Sequence, residues 1–327
     1  MNEFVMSLPA KNQYYCDKID VESYNIVFTK KNYNKFSNFL RKVNLFFVKR
    51  IKVFPFLKQI NKKICYKIYD KKIVDAIVKD TGLAIIDAYV NDDLLYLMKK
   101  YRPKKSWLLI WNPLTDEKAN YYKKYLPIDN IYSYSIDESK KYGFHHFNDF
   151  YYIDYPKLDL PIKRDFYFLG HDKNRMELLE KFAKLIGDKY TFQFDIFTAY
   201  LDESKKGNKL FNYFSEYIPF IEYLNRVFES KCLVDFNNTT NITFRTLESL
   251  IFEKKYITNN KGFMNMDFYN PNNILIVDAN TTMNDIDEFL NKPYVRIDRN
   301  ILENYSVYKI YNDFKKKCEV IKWKELY

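Results

Sequence analysis

Residues 242–250 of the chain read ITFRTLESL, and they stand between two short apolar runs. Residues 232–236 (CLVDF) precede them across the polar loop 237–241, and residues 255–260 (KYITNN) follow them. We interpret both runs as short strands and 242–250 as a helix that begins at Thr243. The order strand, polar loop, helix, strand is typical of a parallel sheet in an α/β domain.

The same alternation recurs along the rest of the 327 residues, a length that suits about two domains. Strands are predicted at 24–28, 84–90, 106–111, 131–134, 165–170, 192–197 and 274–277, and residues 71–79 as strand or short helix. Helices are predicted at 92–101, 175–186, 284–290 and from Pro219 onward. We therefore expect an α/β protein with two Rossmann-like domains facing a central cleft, divided into residues 1–160, residues 161–300 and a C-terminal helical tail, 301–327, that packs back on the first domain.

The composition limits the classes of partner. Apolar residues make up 47% of the chain, which is enough for real cores, and only 6 residues are Gly. The formal net charge of +11 suits a polyanionic partner. Nucleic acid, an anionic membrane surface and phosphorylated substrates all meet that condition, and the charge does not choose among them.

Cysteine and histidine usage argues against disulfides and zinc. The four Cys, at 16, 65, 232 and 318, show no CxxC spacing, and the chain has only 3 His. We expect reduced thiols in a cytosolic protein, with Cys65 and Cys232 buried. The first residues, MNEFVMSLPA, lack the apolar core of a signal peptide, and no apolar run has the length of a spanning helix.

Three loops that follow predicted strands carry candidate ligand-binding residues. Gly170 ends one strand and is followed by His-Asp-Lys-Asn-Arg, in which Lys173 and Arg175 stand beside a helix start that favours anions. The alternative is that Asp172 simply caps that helix. A third loop, 259–262 with 267–274, is rich in Asn and forms turns without any ligand in the alternative interpretation.

The loop before Thr243 makes the strongest candidate. Its hydroxyl and amide side chains suit a diphosphate, and Arg245 could neutralise that group with paired N–H donors. Glu248 lies on the same helix face, where a carboxylate could accept hydrogen bonds from two ribose hydroxyls. The alternative is a surface ion pair between Arg245 and Glu248, worth roughly 0.2–0.5 kcal/mol.

Four segments together resemble a known family. They are DFYFLGHDKNR (165–175), YIPFIEYLNRVFESKCLVDF (217–236), ITFRTLESLIFEKKYITNN (242–260) and DFYNPNNILIVD (267–278). The second half of the chain resembles the donor domain of GT-B-type bacterial glycosyltransferases that build lipopolysaccharide, lipooligosaccharide and capsule. Thr239 and Asn241 stand where that family usually has Gln and Gly, and Phe220 stands where it has Tyr.

The resemblance implies a function and a set of residues. Thr243 and Arg245 would bind the diphosphate of a nucleotide-sugar and Glu248 its ribose, while Tyr217 and Pro219 would flank the base. Gly170, Lys173 and Arg175 would hold phosphate. The nucleotide-sugar would be a co-substrate, with neither cofactor nor metal required, and the acceptor would be a glycan or a lipid-linked glycan bound to residues 1–160.

The first half of the chain offers weaker candidates for the acceptor side. A catalytic base is expected at a strand end of this half, where the candidates are Asp87, Asp92 and Asp137, with His145 and His146 behind them. Asp87 and Asp137 are named as guesses, although each is more often structural. Residues 35–63 combine an apolar face with basic residues, including Lys42, Phe46, Phe47 and Arg50. This pattern predicts either an interfacial helix on anionic lipid, at the cytoplasmic face of the inner membrane, or a core helix with solvated lysines.

Two other functions fit part of the pattern. A nucleic-acid-binding protein would explain the charge and the aromatic residues, but the basic residues are dispersed and no known nucleic-acid-binding module is recognisable, so we expect no such partner. A GT-B-like scaffold without activity would keep the fold and bind only partners.

Overall fold

The computed structural model describes residues 4–9, 23–29, 35–50, 64–65, 67–78, 81–101, 105–198, 207–216, 218–237 and 241–326. The chain divides into two compact units. Unit 1 comprises Met1–Asn148 together with Ser306–Tyr327, and unit 2 comprises Asp149–Tyr305. The unit boundaries therefore fall after residues 148 and 305, where the sequence prediction has them after 160 and 300.

Unit 1 is built on a parallel sheet of six strands. These are β1 (Phe4–Pro9), β2 (Ile26–Thr29), β3 (Gly82–Ile86), β4 (Ser106–Ile110), β5 (Ile131–Ser133) and β6 (His145–His146). Their spatial order is β2-β1-β3-β4-β5-β6. Every residue of β3 and β4 is buried, as expected for parallel strands covered on both faces. The sequence analysis takes 24–28 as the first strand and overlooks β1, which lies between β2 and β3.

The helices of unit 1 follow its strands. They are α1 (Lys35–Arg50), α2 (Lys71–Val78), α3 (Asp92–Tyr101), α4 (Asp116–Lys123) and α5 (Ile136–Tyr142). A buried hydrogen bond from Asn44 Nδ2 to Asp93 Oδ2, 2.9 Å long, joins α1 to α3. Tyr69 Oη donates to the other oxygen of Asp93 at 2.6 Å. Burial raises the pKa of Asp93, although Tyr69 and Asn44 partly oppose that shift.

Unit 2 contains a second parallel sheet of six strands. The strands are β7 (Arg164–His171), β8 (Phe192–Phe197), β9 (Asn212–Phe214), β10 (Ser230–Asp235), β11 (Lys255–Thr258) and β12 (Ile274–Ile276). The helices are α6 (Met176–Ile186), α7 (Phe220–Phe228), α8 (Phe244–Ile251), α9 (Met283–Asn291) and α10 (Arg299–Glu303). One face of the sheet packs with α6 and α9 around Phe168, Phe182 and Phe194.

The strand order of unit 2 positions its candidate site. The spatial order is β12-β11-β10-β7-β8-β9. Counted from β7, this is the 3-2-1-4-5-6 order of the Rossmann fold. From β7 the chain runs to β8 on one side, and from β10 it runs to β11 on the other. The strand order therefore reverses between β7 and β10, which are parallel neighbours. Ligands of open α/β sheets bind beyond the carboxyl ends of such a strand pair.

A long C-terminal helix, α11 (Val307–Leu326), belongs to unit 1. Tyr311 Oη donates to the carbonyl oxygen of Phe4 at 3.3 Å, and the rings of Phe314 and Phe4 stack with centroids 6.5 Å apart. The last segment of the chain thus packs on β1. None of the helices in the described ranges has the length and apolarity required to cross a membrane.

Three cysteines are free thiols buried in the units: Cys65, Cys232 and Cys318. The expected burial of Cys65 and Cys232 is confirmed. Cys16 lies outside the described residues. Burial raises the pKa of the Cys65 thiol to about 12, so this thiol stays protonated and unreactive at neutral pH.

Candidate functional site

Asp235 is the centre of a polar cluster at the carboxyl ends of β7 and β10. Its carboxylate accepts hydrogen bonds from Arg175 Nη1 at 3.0 Å, Thr243 Oγ1 at 2.7 Å and Tyr256 Oη at 3.2 Å. These donors come from the loop after β7, the start of α8 and strand β11. Asp235 is buried. Its three hydrogen bonds join three separate elements at the point where the strand order reverses. The sequence analysis does not single out this residue.

Thr243 forms the amino-terminal cap of α8. Its side chain accepts from the backbone N–H of Thr246 at 3.3 Å, and Thr246 Oγ1 accepts from the N–H of Thr243 at 3.2 Å. This reciprocal capping box explains why the helix begins at the predicted residue. The hydroxyl of Thr243 serves the cap and Asp235 at once. The amino end of α8, with the partial positive charge of a helix start, is thereby fixed beside the end of β10.

Arg245 reaches from α8 to the end of β7. Its Nη2 donates to the carbonyl oxygen of Leu169 at 2.7 Å. The guanidinium carbon lies 5.7 Å from the ring centre of Phe168 and 5.6 Å from that of Tyr223. Nη1 is buried and has no hydrogen-bond acceptor among the described residues. A buried cationic donor without an acceptor is costly, so this N–H group is suited to bind an anion.

Arg175 presents a second guanidinium to the same place. Its carbon lies 5.4 Å from the ring centre of Phe168, which therefore contacts both arginines. Its Nε is also buried without an acceptor in the part of the chain that the structure describes. Burial lowers the pKa of Arg175, and the charge of Arg245 lowers it further, against the opposing effect of Asp235. Two like charges held this close favour an anion with several oxygen atoms.

Gly170 and the turn after it lie next to Phe168 and Arg175. A Cβ at Gly170 would lie 3.1 Å from the ring of Phe168 and 3.8 Å from Arg175 Nη1, so glycine allows the backbone to approach both. Lys173 and Asn174 have left-handed φ angles of 42° and 63°. Asp172 Oδ1 accepts from the N–H groups of Arg175 and Met176, so the capping role considered for Asp172 is confirmed. Lys173 is exposed to solvent.

Glu248 is only 2% exposed. Its Oε1 accepts from Tyr151 Oη at 3.2 Å, and its Oε2 accepts from Tyr223 Oη. Each oxygen of this buried carboxylate is thus bonded to a tyrosine hydroxyl. Ribose binding by Glu248 stays a prediction, and the alternative of a surface ion pair with Arg245 does not describe a carboxylate that is buried.

The remaining predicted donor-side residues are Pro219 and Tyr217. Pro219 is the amino-terminal cap of α7, so the predicted helix start is confirmed. Tyr217 lies outside the described residues. Tyr223, four residues after Pro219, contacts Arg245 and Glu248 and is a site residue that the sequence analysis does not identify.

In unit 1, Asp87, one of the two predicted candidates for the base, is enclosed by polar partners. Its side chain is 0% exposed and forms a salt bridge of 3.1 Å with Lys118. It also accepts from the N–H of Trp111 at 2.9 Å and from Asn112 Nδ2 at 3.1 Å. Asp87 therefore anchors the loop after β4, and no face of its carboxylate is available to an acceptor hydroxyl.

Asp137 and its neighbour Glu138 differ in their surroundings. Asp137 is exposed in the first turn of α5, where a carboxylate interacts favourably with the helix dipole. Glu138 accepts from the N–H of Leu114 at 2.8 Å and from Ser133 Oγ at 3.1 Å. Glu138 thus connects the ends of β4 and β5. It is a second carboxylate at the strand ends of unit 1 that sequence reasoning overlooks.

Helix α1 presents part of the predicted membrane-binding surface. Lys42 is exposed, and Phe39 and Phe46 are 61% and 50% exposed. These three residues recur at helical spacing, opposite to the buried Asn44. Phe47 and Arg50 belong to α1, but their side chains are not among those described.

No group of three or more His, Cys, Asp or Glu side chains that could hold a metal ion occurs among the described residues. At the candidate site, positive charge comes from the guanidinium groups of Arg175 and Arg245 and from the start of α8.

Comparison with known proteins supports the fold. No protein-family model matches the chain, and no curated protein matches it in sequence. The crystal structure of a glycosyltransferase from Rickettsia africae matches with a TM-score of 0.53 and 12% identity, over 98% of each chain.

Two more distant structures also match. The lipopolysaccharide outer core galactosyltransferase WaaB matches with a TM-score of 0.44 and 13% identity, over 92% of this chain and 86% of its own. A DNA-modifying β-glucosyltransferase, crystallised with and without uridine diphosphoglucose, matches with a TM-score of 0.43 and 16% identity, over 74% of this chain and 80% of its own. At these identities the likeness concerns the fold, and the two parallel six-stranded sheets, with the TM-score of 0.53 to the Rickettsia africae structure, confirm the predicted α/β fold of GT-B type.

Proposed function

We propose that the protein is a glycosyltransferase that moves a sugar from a nucleotide-sugar to a surface-glycan acceptor, either lipid-linked or lipopolysaccharide. The observation that carries this proposal is the buried Nη1 of Arg245, which has no acceptor among the described residues. It lies at the carboxyl end of β7, at the point where the strand order of unit 2 reverses. The fold shared with the glycosyltransferase from Rickettsia africae supports the same conclusion.

The chemistry follows from where the positive charge lies. In glycosyl transfer, the bond between the sugar's anomeric carbon and the diphosphate oxygen breaks, and a bond to the acceptor oxygen forms. The electron pair of the broken bond stays on the departing nucleoside diphosphate. Arg245, Arg175 and the amino end of α8 would stabilise that charge, because fixed donors in a buried site cost little reorganisation. The proposal thus requires no metal ion.

The acceptor side of the proposal rests on unit 1. The acceptor hydroxyl must lose a proton as the new bond forms. Asp137 is exposed near the carboxyl end of β5 and remains the candidate base from the predicted pair. The exposed Phe39, Lys42 and Phe46 of α1 would bind an anionic membrane surface, where a lipid-linked acceptor is presented. This would place the enzyme at the cytoplasmic face of the inner membrane.

Isothermal titration calorimetry with UDP, GDP, CDP and CMP tests the proposal. We expect one nucleotide to bind clearly more tightly than the others. In Arg245→Gln this affinity should fall roughly 30-fold, or about 2 kcal/mol, because a buried charge-assisted contact is lost. Retention of full affinity in this variant would contradict the site. Binding of no nucleotide, together with strongly salt-dependent binding to DNA or RNA, would contradict the function.

Arg164→Gln is the matched control. Arg164 stands at the opposite end of β7, and its side chain is 11% exposed. It donates to the carbonyl oxygen of Arg226 at 2.9 Å and pairs with Glu229 at 3.3 Å. Its replacement should destabilise unit 2 to a similar degree while leaving nucleotide affinity unchanged. A shared loss of affinity would indicate that unfolding, rather than loss of a ligand contact, explains the Arg245 result.

A further inference from the structure

Glu248 is a buried acid directly behind the proposed phosphate site. It lies one helical turn after Arg245 in α8, and its two oxygens accept from Tyr151 and Tyr223. Tyr151 comes from the segment before β7, and Tyr223 comes from α7. The carboxylate is therefore enclosed by three elements and is sealed from solvent.

Arg245 is the cation that compensates this carboxylate. Residues three apart on a helix are neighbours, with Cβ atoms about 5–6 Å apart. Tyr223 contacts both groups, since its ring lies 5.6 Å from the Arg245 guanidinium and its hydroxyl donates to Glu248. The other nearby acid, Asp235, is already paired with Arg175 at 3.0 Å. The charged and titratable groups facing Glu248 are thus Arg245, Asp235, Tyr151 and Tyr223.

We infer that Glu248 takes up a proton when an anion binds at Arg245, so that donor binding is coupled to protonation. This inference rests on the proposed function, which places a diphosphate at Arg245. A bound diphosphate brings negative charge to the guanidinium that now stabilises the buried carboxylate. Glu248 then accepts one proton from the buffer onto Oε1 or Oε2, and the neutral carboxyl group keeps its contacts with the two tyrosines.

The pKa of Glu248 makes this coupling effective at neutral pH. Burial raises it to about 7, although Arg245, Tyr223 and Tyr151 oppose the shift. The free protein would therefore carry a mixture of charged and neutral Glu248. A modest further rise on ligand binding would change the proton occupancy substantially, and the proton would be released again when the nucleoside diphosphate leaves.

Carbon-13 NMR of glutamate-labelled protein tests the coupling directly. Sulfate is a suitable probe because it does not titrate between pH 5 and pH 9, and sodium chloride of matched ionic strength is the control. The Glu248 carboxyl signal is identified by its loss in Glu248→Gln. We expect a midpoint near pH 7 in chloride, moving upward by about one pH unit in sulfate. In Arg245→Gln the midpoint should already be raised in chloride, and sulfate should not move it.

The outcomes separate this inference from the proposed function. A Glu248 midpoint that is the same in sulfate and chloride, or one that sulfate still moves in Arg245→Gln, overturns the inference. Neither result affects the calorimetric binding of nucleotides, on which the function depends. With the nucleotide that binds, Glu248→Gln should abolish the proton uptake that calorimetry measures in buffers of different ionisation enthalpy. Proton uptake that persists in this variant would overturn the inference, and a strong loss of nucleotide affinity along with it would favour the predicted ribose role.

Discussion

At position 248, burial and hydrogen bonding shift the pKa of one carboxyl group in opposite directions. Burial penalises the charged form, whereas Arg245 and the hydroxyls of Tyr223 and Tyr151 favour it. Burial dominates, and the pKa of Glu248 rises to about 7. The folded protein therefore holds this proton at pH values where an unfolded chain has released it.

This raised pKa predicts a specific pH dependence of stability. Between about pH 4.5 and pH 7 the folded state binds more protons at Glu248 than the unfolded state, so the free energy of unfolding falls as pH rises. Across this pH range the free energy of unfolding falls by about 3 kcal/mol in total, at 1.36 kcal/mol per pKa unit. Urea denaturation of Glu248→Gln and the unmodified protein should give a stability difference that favours the variant more at pH 8 than at pH 5. A difference independent of pH would contradict the raised pKa.

At the scale of elements, α8 and α9 begin in the same way but serve different purposes. Each starts at a threonine, Thr243 or Thr282, whose side chain accepts from the backbone N–H three residues on in a reciprocal capping box. The Thr243 cap also donates to the buried Asp235. The side chain of Thr282 bonds instead with Asp285, which is exposed. The two threonines can therefore be replaced in parallel, with Thr282 as the control for Thr243.

Replacing each threonine by alanine tests what the α8 cap contributes. Both Thr243→Ala and Thr282→Ala should lower stability by about 1 kcal/mol, the usual value of a lost cap. Only Thr243→Ala should also weaken nucleotide binding, by roughly tenfold or about 1.4 kcal/mol, because Asp235 loses a donor and the amino end of α8 loosens. Thermal denaturation and calorimetry measure the two effects. Equal nucleotide affinities in the two variants would separate the α8 cap from the site.

Element positions could largely be predicted from sequence, since periodicity is a local property. The starts of α7 and α8 at Pro219 and Thr243 are confirmed, because cap chemistry involves residues only a few positions apart. The strands β6 and β9, of 2 and 3 residues, are too short to show a period. Strand β1 is a short apolar segment near residue 1, and its position inside the sheet comes from pairing with β2 and β3.

At the scale of the whole molecule, the net charge of +11 becomes informative when it is joined with exposed apolar groups. On α1, Lys42 lies between the exposed rings of Phe39 and Phe46. Aromatic rings that enter the interfacial region of a bilayer, with lysines that meet anionic headgroups, are the usual elements of peripheral binding. The proposed membrane association therefore depends on a small, testable surface.

Sedimentation with phosphatidylglycerol and phosphatidylcholine vesicles measures this association. We expect preferential binding to the anionic vesicles, reduced about tenfold or more in the double variant Lys42→Glu and Phe46→Ser, through lost electrostatic attraction and apolar burial. The control, Lys184→Glu with Val320→Ser, changes the same charge and also removes an exposed apolar side chain, elsewhere on the molecule. Equal losses in both double variants would mean that overall charge, and not α1, is responsible.

The sequence by itself determined the alternation of strands and helices, the start of α8, and the candidacy of Arg245 and Arg175, because these depend on periodicity, capping and residue chemistry. Tertiary structure decided which side chains face the site. Asp235 gains its role from Arg175, which is 60 residues away. Asp87 and Glu248 are enclosed by groups distant in the sequence, Lys118 and Tyr151. Burial and pairing arise from contacts between remote segments, and no local pattern encodes them.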